Sequence, residues 1–582
     1  MYVSTKGSSN GNGSYDHPFN TIGQALEQVK TLRQQSQISK QGIRIQIESG
    51  HYFLQEALVL NEEYSDTTDV PLVITSSRAK LTVLSGGLIV NEWTHQGANL
   101  YVAEVPSSAD WYPKQLFCNG KKMPRASLPQ KGYLLTDGPL SQYSFIRSWK
   151  PYQFGAVKVL RDTALQAFCG FQYQTKDRLY WSGLDTENAE IITYHSWDCT
   201  WQLIDKLDYD YRNVHLTSPS RYPVGFFSNH MRYRIENVSN GLDQPGEWYY
   251  NRDEKQVYFL APESLEPNEA EIIIPRLTEL VRIEGSSVSS RATNIRFEGI
   301  TFQHNDYTMQ FNRKSRDWYQ NHDTWGYSDA QAAPNSGQAI LVKNAKNITF
   351  QKCTFQDMGS YALNIATGCE EISITNNHFR RLGAGAILLG SQNAHLKGTS
   401  VSRNTIIKNN LIEQYGTIHP AGVGIWLANA QQNQIIHNEI RYGGYSGISL
   451  GWTWGSGKSL TSDNLIANNN IHHVLQELAD GGGIYTLGRQ RNTVIKENYI
   501  HHIGKHKRAI GAPNNGIFFD EGSRHITVTN NVLEHIQAPS TFRFNRVNKS
   551  QITLGGNVTK PGELDSPIAK KIIRSARILN TK

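Results

Sequence analysis

The stretch NNGIFFDEGSRHITVTNNV, residues 514–532, combines two short apolar strands with an acidic pair and an asparagine pair. Its first half is an apolar run that ends at Asp520 and Glu521. Its second half continues as ITVTNNVL at 526–533 and alternates apolar with polar residues, as a half-buried β-strand does. This second half recurs along the chain, and the recurrence decides the fold.

Six copies of the repeat carry an asparagine two places before an apolar residue, and a seventh, worn copy aligns less well. The other copies are ISITNNHF at 372–379, TIIKNNLI at 405–412, QIIHNEI at 434–440, LIANNNI at 465–471, VIKENYI at 494–500 and ITLGGNV at 552–558. The aligned asparagines are Asn377, Asn410, Asn438, Asn469, Asn498, Asn531 and Asn557, with spacings of 33, 28, 31, 29, 33 and 26. Unequal spacing excludes a coiled coil and is typical of stacked coils of short parallel strands joined by loops of different length. An asparagine at one bend of every coil predicts a ladder of side-chain amides, and asparagine tolerates the left-handed backbone that such a bend needs. The sequence therefore predicts an all-β protein built as a parallel β-helix.

A second apolar segment occurs in each coil. The copies besides NNGIFFDEG are GAGAILLG at 383–390, GVGIWLA at 422–428, YSGISLGW at 445–452, GGGIYTLG at 481–488 and STFRFNR at 540–546. We expect one continuous sheet whose inward residues are Ile387, Ile425, Ile448, Ile484, Ile517 and Phe542. The residues that follow them then point outward, namely Trp426, Ser449, Tyr485, Phe518 and Arg543, and so do Gly451, Leu487, Asp520 and Asn545 two places further on. Asp520 is thus expected on the outer wall of a sheet, beside a row of aromatic residues.

The chain divides into three predicted parts. Residues 1–84 form an N-terminal cap and the first coils; in them a helix begins near Thr21, with Asn20 or Thr21 as its cap, and covers the open end of the β-helix. The repeat is absent over 85–280, where GEWYYNRDEKQVYFLAP at 246–262 predicts a hairpin in an inserted, sandwich-like β-rich domain. Residues 281–582 form the main β-helix, with an aromatic-rich loop at 316–333.

Composition narrows the function classes. The 582 residues carry a net charge of +7 without an extended basic run, so we expect no nucleic-acid partner. The five cysteines (Cys118, Cys169, Cys199, Cys353 and Cys369) show no metal-binding spacing, and we expect no metal and no cofactor. The chain contains no run of 18 apolar residues, so no membrane span is predicted. Aromatic residues make up 10% of the chain, including 12 Trp and 28 Tyr, which suits a surface that stacks on sugar rings or bases. No oligomeric state is predicted.

Five segments resemble the right-handed parallel β-helix proteins of glycoside hydrolase family 141, which include α-L-fucosidase and xylanase activities. They are GSSNGNGSYDHPFNTIGQAL, LFCNGKKMPRASLP at 116–129, GYSDAQAA at 326–333, GYSGISLGWTWG at 444–455, and DGGGIYTLG with IFFDEGS. The resemblance covers nearly the whole chain and implies a right-handed β-helix hydrolase whose proposed acidic pair matches Asp480 and Asp520. A more distant likeness to family 120 β-xylosidases places that family's nucleophile at Asp520. The acid of that family falls near Asn545, which is not a carboxylate, so its mechanism is not carried over whole.

The acidic pair can act together only if the backbone bends between the two residues. Asp480 and Asp520 belong to neighbouring coils, but in simple register they are seven residues apart along the strand, or roughly 23 Å. Glycosidase carboxyl groups are separated by about 5–9.5 Å, so we expect the Gly481–Gly483 run to fold back and bring Asp480 over the sheet. Structural interpretations remain open: Asp480 as a turn acid, and Asp520 as a strand-end cap. Glu521 is interpreted as a structural group that binds a backbone amide or an arginine. If Asp480 is not the partner of Asp520, Glu521 is the next candidate for that role.

Other side chains are candidates for substrate binding. Aromatic rings that could stack on sugars, or pack against loops instead, are Trp426, Trp452, Trp454, Tyr485 and Phe518. Arg489, Arg543 and Arg546 could bind a substrate carboxylate or sulfate, or be solvated. His419 and His437 are expected near the same wall, in a binding or a structural role.

These residues favour a glycoside hydrolase that cleaves a plant or algal polysaccharide, with Asp520 as nucleophile or base and Asp480 as acid. One alternative is a polysaccharide lyase or epimerase acting on a uronate polymer, which needs a Lys, Arg or His base. Another is a non-catalytic carbohydrate-binding β-helix, because the fold alone does not select a function. No signal peptide precedes the first strand, MYVSTKG, so the protein is expected to be either secreted or periplasmic without its leader, which we favour, or cytoplasmic.

Overall fold

A computed structural model describes residues 1–35, 42–65, 70–77, 81–106, 111–142, 168–308, 326–328 and 330–579. All structural statements below concern these residues. The aromatic-rich loop at 316–325 lies outside them.

Two parallel sheets wrap around one long core to form the predicted β-helix. Each full coil contributes one strand to a ten-stranded sheet and two strands to a 20-stranded sheet, as in the coil Gln434–Ile436, Glu439–Gly443 and Ile448–Leu450. Inside, rings of successive coils stack, with Phe302 and Phe379 each about one strand spacing from Phe355, at centroid distances of 5.2 and 4.6 Å. The all-β parallel fold predicted from the repeat is confirmed.

The strands of the β-helix are short, apart from two that run through a corner. The 20-stranded sheet contains Tyr2–Ser8, Ile43–Ile47, Leu58–Leu60, Leu72–Ser76, Val281–Glu284, Ala292–Glu298, Gln338–Lys343, Ala345–Gln351, Tyr361–Ile365, Ser373–Thr375, Ile387–Leu389, Ile406–Lys408, Ile425–Leu427, Gln434–Ile436, Ile448–Leu450, Leu465–Ala467, Gly482–Lys496, Asn515–Thr529, Phe542–Phe544 and Ile552–Gly555. The ten-stranded sheet contains Gly50–Phe53, Thr82–Ser85, Thr301–Gln303, Thr354–Met358, His378–Leu382, Leu411–Tyr415, Glu439–Gly443, Asn470–His472, Tyr499–Ile503 and Val532–Ile536.

The predicted asparagine ladder is present along its whole length. From Asn377 to Asn557, each side-chain amide donates to the side-chain oxygen of the next asparagine at 2.9–3.0 Å. One detail of the prediction is wrong. The left-handed backbone belongs to the residue before each ladder asparagine, for example Asn409 with φ 59° and His437 with φ 54°. The ladder asparagines are thereby free to point inward and bond along the stack.

One helix covers the N-terminal end of the β-helix, and another packs on its last coils. The N-terminal helix, Ile22–Gln34, begins after Thr21, whose side chain accepts a hydrogen bond from the Gln24 amide in a capping box, as predicted. It buries Ile22, Leu26 and Val29 against the first coils. A C-terminal helix, Pro567–Ser575, was not predicted; it packs Ala569 and Ile572 on the last coils. The only other α-helix of the described residues is the single turn Arg178–Trp181.

Antiparallel sheets occupy the region in which the repeat is absent. An eight-stranded sheet contains Ser127–Leu128, Leu134–Gly138, Gly170–Tyr173, Glu190–Tyr194, Cys199–Asp208, Asn213–Leu216, Arg232–Glu236 and Gly326–Ser328. Two four-stranded sheets contain Gly87–Ile89, Phe117–Cys118, Lys121–Lys122 and Ile272–Pro275, and Thr94–Gly97, Leu100–Glu104, Trp248–Asn251 and Gln256–Leu260. The last two strands form the predicted hairpin. The boundaries at residues 84 and 280 stay predictions.

The described part of the chain holds no helix whose length and apolar character would let it cross a membrane.

Candidate active site

The outward residues of the second apolar segment align as predicted. Trp426, Ser449, Tyr485, Phe518 and Arg543 are successive register partners in five neighbouring strands. Their inward neighbours, from Ile425 to Ile517, are fully buried in the core. We call these five residues the outward row. Its last three members surround both predicted acids.

Asp520 lies on the outer wall of the sheet, opposite Leu487 on the previous coil. One of its oxygens, Oδ1, accepts a hydrogen bond from the Asn545 amide nitrogen at 2.7 Å. The other, Oδ2, accepts one from the Tyr485 hydroxyl at 2.5 Å. With one donor on each oxygen, the carboxylate is held in a single orientation.

Asp480 is brought to the same wall by a bend in the backbone. It has a φ of 61°, in the left-handed region, and its amide donates to the Ala512 carbonyl oxygen at 3.0 Å. Its Oδ1 lies 2.5 Å from Nη1 of Arg543 in the outward row. The expected fold-back therefore exists, but the bend is at Asp480 itself. Gly482 and Gly483 continue as regular strand, which corrects the prediction that the glycine run folds back.

The electrostatics of the site couple the two acids. Burial raises the pKa of Asp480, the Arg543 guanidinium opposes this shift, and the negative charge of Asp520 reinforces it. The pKa of Tyr445 is raised first by burial and then by the charges of Asp480 and Asp520. The Tyr445 hydroxyl donates to the backbone carbonyl of Asp480 at 3.0 Å, so this buried ring supports the bend. The two carboxyl groups, 40 residues apart in the chain, therefore contact members of the outward row, Asp480 through Arg543 and Asp520 through Tyr485.

Phe518 and Tyr485 hold the charged groups of this site. The Arg543 guanidinium lies over the Phe518 ring, 4.2 Å from its centroid, and Tyr485 meets the same ring edge-on at 5.2 Å. Both rings are buried. Their predicted role as open sugar platforms is therefore wrong, because their faces already pack against neighbouring side chains.

The three tryptophans differ in exposure. Trp426 is 0% exposed and packs against Trp452, so its predicted role as a sugar platform is also wrong. Trp452 in turn meets Trp454 at 4.9 Å, and Trp454 is 48% exposed. The loop that carries Trp454 contacts the turn after Asp520, since a Cβ on Gly522 would lie 1.8 Å from the Gly455 carbonyl oxygen. Trp454 therefore remains a candidate for substrate binding.

The structure corrects the predicted position of the two candidate histidines near the site. His419 is 0% exposed and lies between Trp201 and Tyr307, where burial lowers its pKa to about 3. His437 lies at the asparagine bend, on a different corner of the coil from the outward row. The sequence prediction put both histidines near the site because spacing along the chain does not show which corner of a coil a residue occupies.

The remaining charged candidates lie beyond the acidic pair. Glu521 accepts a hydrogen bond from Arg546 at 2.8 Å, as its structural interpretation requires. Arg489 is exposed and is the register partner of Arg524. No group of three or more His, Cys, Asp or Glu side chains in the described ranges is arranged to hold a metal ion.

Sequence reasoning missed the contributions of Tyr445, Gln331 and Asp198. Gln331 donates to the Tyr445 hydroxyl at 3.3 Å. Asp198 is buried in the hairpin turn between Glu190–Tyr194 and Cys199–Asp208, with Arg221 Nε at 3.7 Å. The same turn accepts a hydrogen bond from the Ala479 amide, through the Ser196 carbonyl, at 2.7 Å. No repeat marks these residues, because they meet only in the folded chain.

Comparison with known proteins agrees with this architecture. The family model for a right handed β-helix region matches residues 281–419 and 320–557. No curated protein matches the chain by sequence. A solved structure described as a glycoside hydrolase is similar over 100% of this chain and 99% of its own length, with a TM-score of 0.82 and 24% identity. The fold is therefore a right-handed β-helix, as predicted.

Weaker similarities extend to two further solved structures. One is a complex of XylC with xylose, with a TM-score of 0.48 and 12% identity over 93% of this chain and 76% of that one. The other is a GH136 lacto-N-biosidase from Eubacterium ramulus, with a TM-score of 0.42 and 11% identity over 96% of this chain and 67% of that one.

Proposed function

We propose that this protein is a glycoside hydrolase in which Asp520 is the nucleophile or base and Asp480 is the acid. The observation that carries the proposal is that two carboxyl groups in unlike surroundings each contact a member of the outward row, Asp480 at Arg543 and Asp520 at Tyr485. Asp480 is a partly buried acid with a raised pKa, whereas both oxygens of Asp520 accept hydrogen bonds from neutral donors. Pairs of acids whose environments differ in this way divide the roles of proton donor and nucleophile or base.

The contacts suggest how the work is shared. Asp480 Oδ1 is held by Arg543, so Oδ2 is the oxygen from which a proton would pass to the glycosidic oxygen. Asp520 would attack the sugar carbon, or activate a water molecule that does so, as the leaving group departs. Tyr485 and Asn545 would keep the Asp520 carboxylate in place through the reaction.

The proposed substrate is a plant or algal polysaccharide or an oligosaccharide derived from it, with α-L-fucosides and xylans as the first candidates. The exposed ring of Trp454, next to the turn after Asp520, supports a sugar-stacking subsite. The likeness to a solved glycoside hydrolase supports the reaction class. A polymeric substrate favours action outside the cytoplasm, so we also propose a secreted or periplasmic location.

The test is a product screen on fucosylated pectin, xylan and sulfated algal glycan, with Asp520→Asn and Asp480→Asn beside the parent. We expect new reducing ends from the parent on one of these polymers and almost none from either variant. Absorbance near 235 nm in the products would instead indicate lyase chemistry. Binding of a polymer without any cleavage, equal in the parent and in Asp520→Asn, would indicate a carbohydrate-binding protein.

A further inference from the structure

A cavity lies between the antiparallel region and the turns of the β-helix. Its volume is about 840 Å³, and neither Asp480 nor Asp520 lines it. One wall is formed by the eight-stranded sheet and the segment before it, and the other by the turns at 414–420, 442–444 and 476–477. The volume falls within the range of sites that hold small organic molecules.

The polar character of this cavity follows from strand alternation. In the strands Glu190–Tyr194 and Arg232–Glu236, the residues that line the cavity are Glu190, Ile192 and Tyr194 on the first, and Arg234 and Glu236 on the second. A sheet face that packed only on the β-helix would be apolar at these positions. Here three of the five residues are charged.

Gln115 is the most informative residue of the lining. It is 2% exposed, and neither its amide oxygen nor its amide nitrogen has a hydrogen-bond partner among the described residues. A buried amide without partners is costly, and native proteins satisfy nearly all such groups. Because the amide both donates and accepts, it matches a ligand hydroxyl group, which does the same.

The charges that line the cavity are balanced. Four cations, Lys114, Lys122, Arg125 and Arg234, face four acids, Glu190, Glu236, Glu247 and Glu477. The most buried of these are already paired: Arg125 lies 2.7 Å from Glu190, and Lys114 lies 2.8 Å from Asp306. An ionic ligand would meet no surplus of opposite charge. A neutral ligand rich in hydroxyl groups fits this lining better.

We propose that this cavity is a second saccharide-binding site, specific for a neutral mono- or oligosaccharide. Its aromatic lining includes Tyr442, which is 43% exposed and offers apolar surface to a sugar ring beside the polar groups. The cavity and the acidic pair share one turn of the chain, since Glu477 lines the cavity and Asp480 follows three residues later. The site is defined by binding and does not depend on the proposed hydrolysis.

Titration calorimetry on Asp520→Asn protein tests the proposal without cleavage. The probes are xylotriose and L-fucose as neutral sugars and trigalacturonic acid as the anionic comparison. We expect a neutral probe to bind in the cavity, and Gln115→Leu added to Asp520→Asn to abolish this binding or weaken it about tenfold. A matched control, Gln46→Leu on the strand Ile43–Ile47, should leave binding unchanged.

A second variant guards against a folding defect in Gln115→Leu. Thr417→Trp places a large ring at the exposed rim of the cavity and should block the same binding event. Loss in both variants, with the control unaffected, supports the proposal. The proposal is overturned if no neutral probe binds, if binding survives both variants, or if trigalacturonic acid binds as tightly as the neutral sugars. The acidic site is present in every variant, so the quantity compared is the binding event lost relative to Asp520→Asn alone, and that loss does not depend on whether the parent hydrolyses a glycan.

Discussion

The asparagine bend and the outward row belong to the same coils but use repetition in opposite ways. At the bend, one residue type makes the same amide contact from Asn377 to Asn557. In the outward row, each strand carries a different residue, and the last three strands assemble contacts that occur once. The comparison indicates that positions where coils agree hold the stack together, whereas positions where they differ are available for chemistry.

The largest effect on activity is expected from a change beside the outward row. Asp520→Asn should lower kcat/KM by about 10⁴-fold, because an amide can neither attack the sugar nor activate water. The melting temperature should stay close to that of the parent, since the amide keeps the size of the side chain. Initial rates and thermal melts, measured together, check this. Activity within tenfold of the parent would remove Asp520 from the mechanism.

Asp480→Asn should lower kcat/KM by about 10³-fold on substrates with a poor leaving group and by less on an activated aryl glycoside. Its pKa is raised, so the acid is protonated below that pKa, and parent activity should fall as pH rises through it. The same sign applies to stability: the contribution is present at low pH and is lost as pH rises through the folded-state pKa. An alkaline limb of the pH–rate profile that is unchanged in Asp480→Asn would contradict the assignment.

On the ladder side, Asn469→Ala should lower the free energy of unfolding by about 3 kcal/mol, because it breaks several buried hydrogen bonds. Activity per folded molecule should be unchanged. Asn557→Ala at the last, partly buried rung is the matched control, with an expected loss of about 1 kcal/mol. Denaturant melts measure both. Equal losses would show that the ladder does not act through burial.

Tyr485→Phe should lower kcat/KM by about tenfold, since it removes one of the two hydrogen bonds to Asp520 and leaves the ring packing intact. KM should change little, because the ring is covered and does not contact substrate. An effect mainly on KM would point to direct substrate binding by Tyr485.

The smallest effect is expected for Glu521→Gln, which should change kcat/KM by less than twofold. Glu521 and Arg546 form an ion pair near the surface, and such pairs contribute little to stability. Kinetics beside Asp520→Asn make the comparison between adjacent acids. A loss comparable to that of Asp480→Asn would make Glu521 the partner of Asp520.

The sequence predicted the elements that depend on periodicity. Asparagine spacing located the ladder, and alternation in short strands placed Asp520, Tyr485 and Arg543 outward in the correct register. Local hydrogen-bonding chemistry limited the helix cap to Asn20 or Thr21, and the structure has Thr21. These features depend on residues near in sequence or on their recurrence, so one sequence is enough to read them.

What the sequence could not predict depends on contacts between distant segments. The bend at Asp480 is supported by Tyr445, and the burial of His419 depends on Trp201 from the antiparallel region. The covering of Phe518 depends on where Arg543 turns its side chain. Exposure and corner assignment are properties of the assembled coils, so the aromatic and histidine candidates were the least accurate part of the prediction.

Two residues that contact the acids lie at the last strand on this face of the β-helix. Arg543 and Asn545 belong to or follow Phe542–Phe544, a three-residue strand that is only partly buried and has a neighbour on one side alone within this face. Such an end rung can fray while the coils behind it remain intact. If the proposed hydrolase activity holds, heating would then abolish it before the β-helix unfolds, with fraying and inactivation sharing one transition and global unfolding following at a higher temperature.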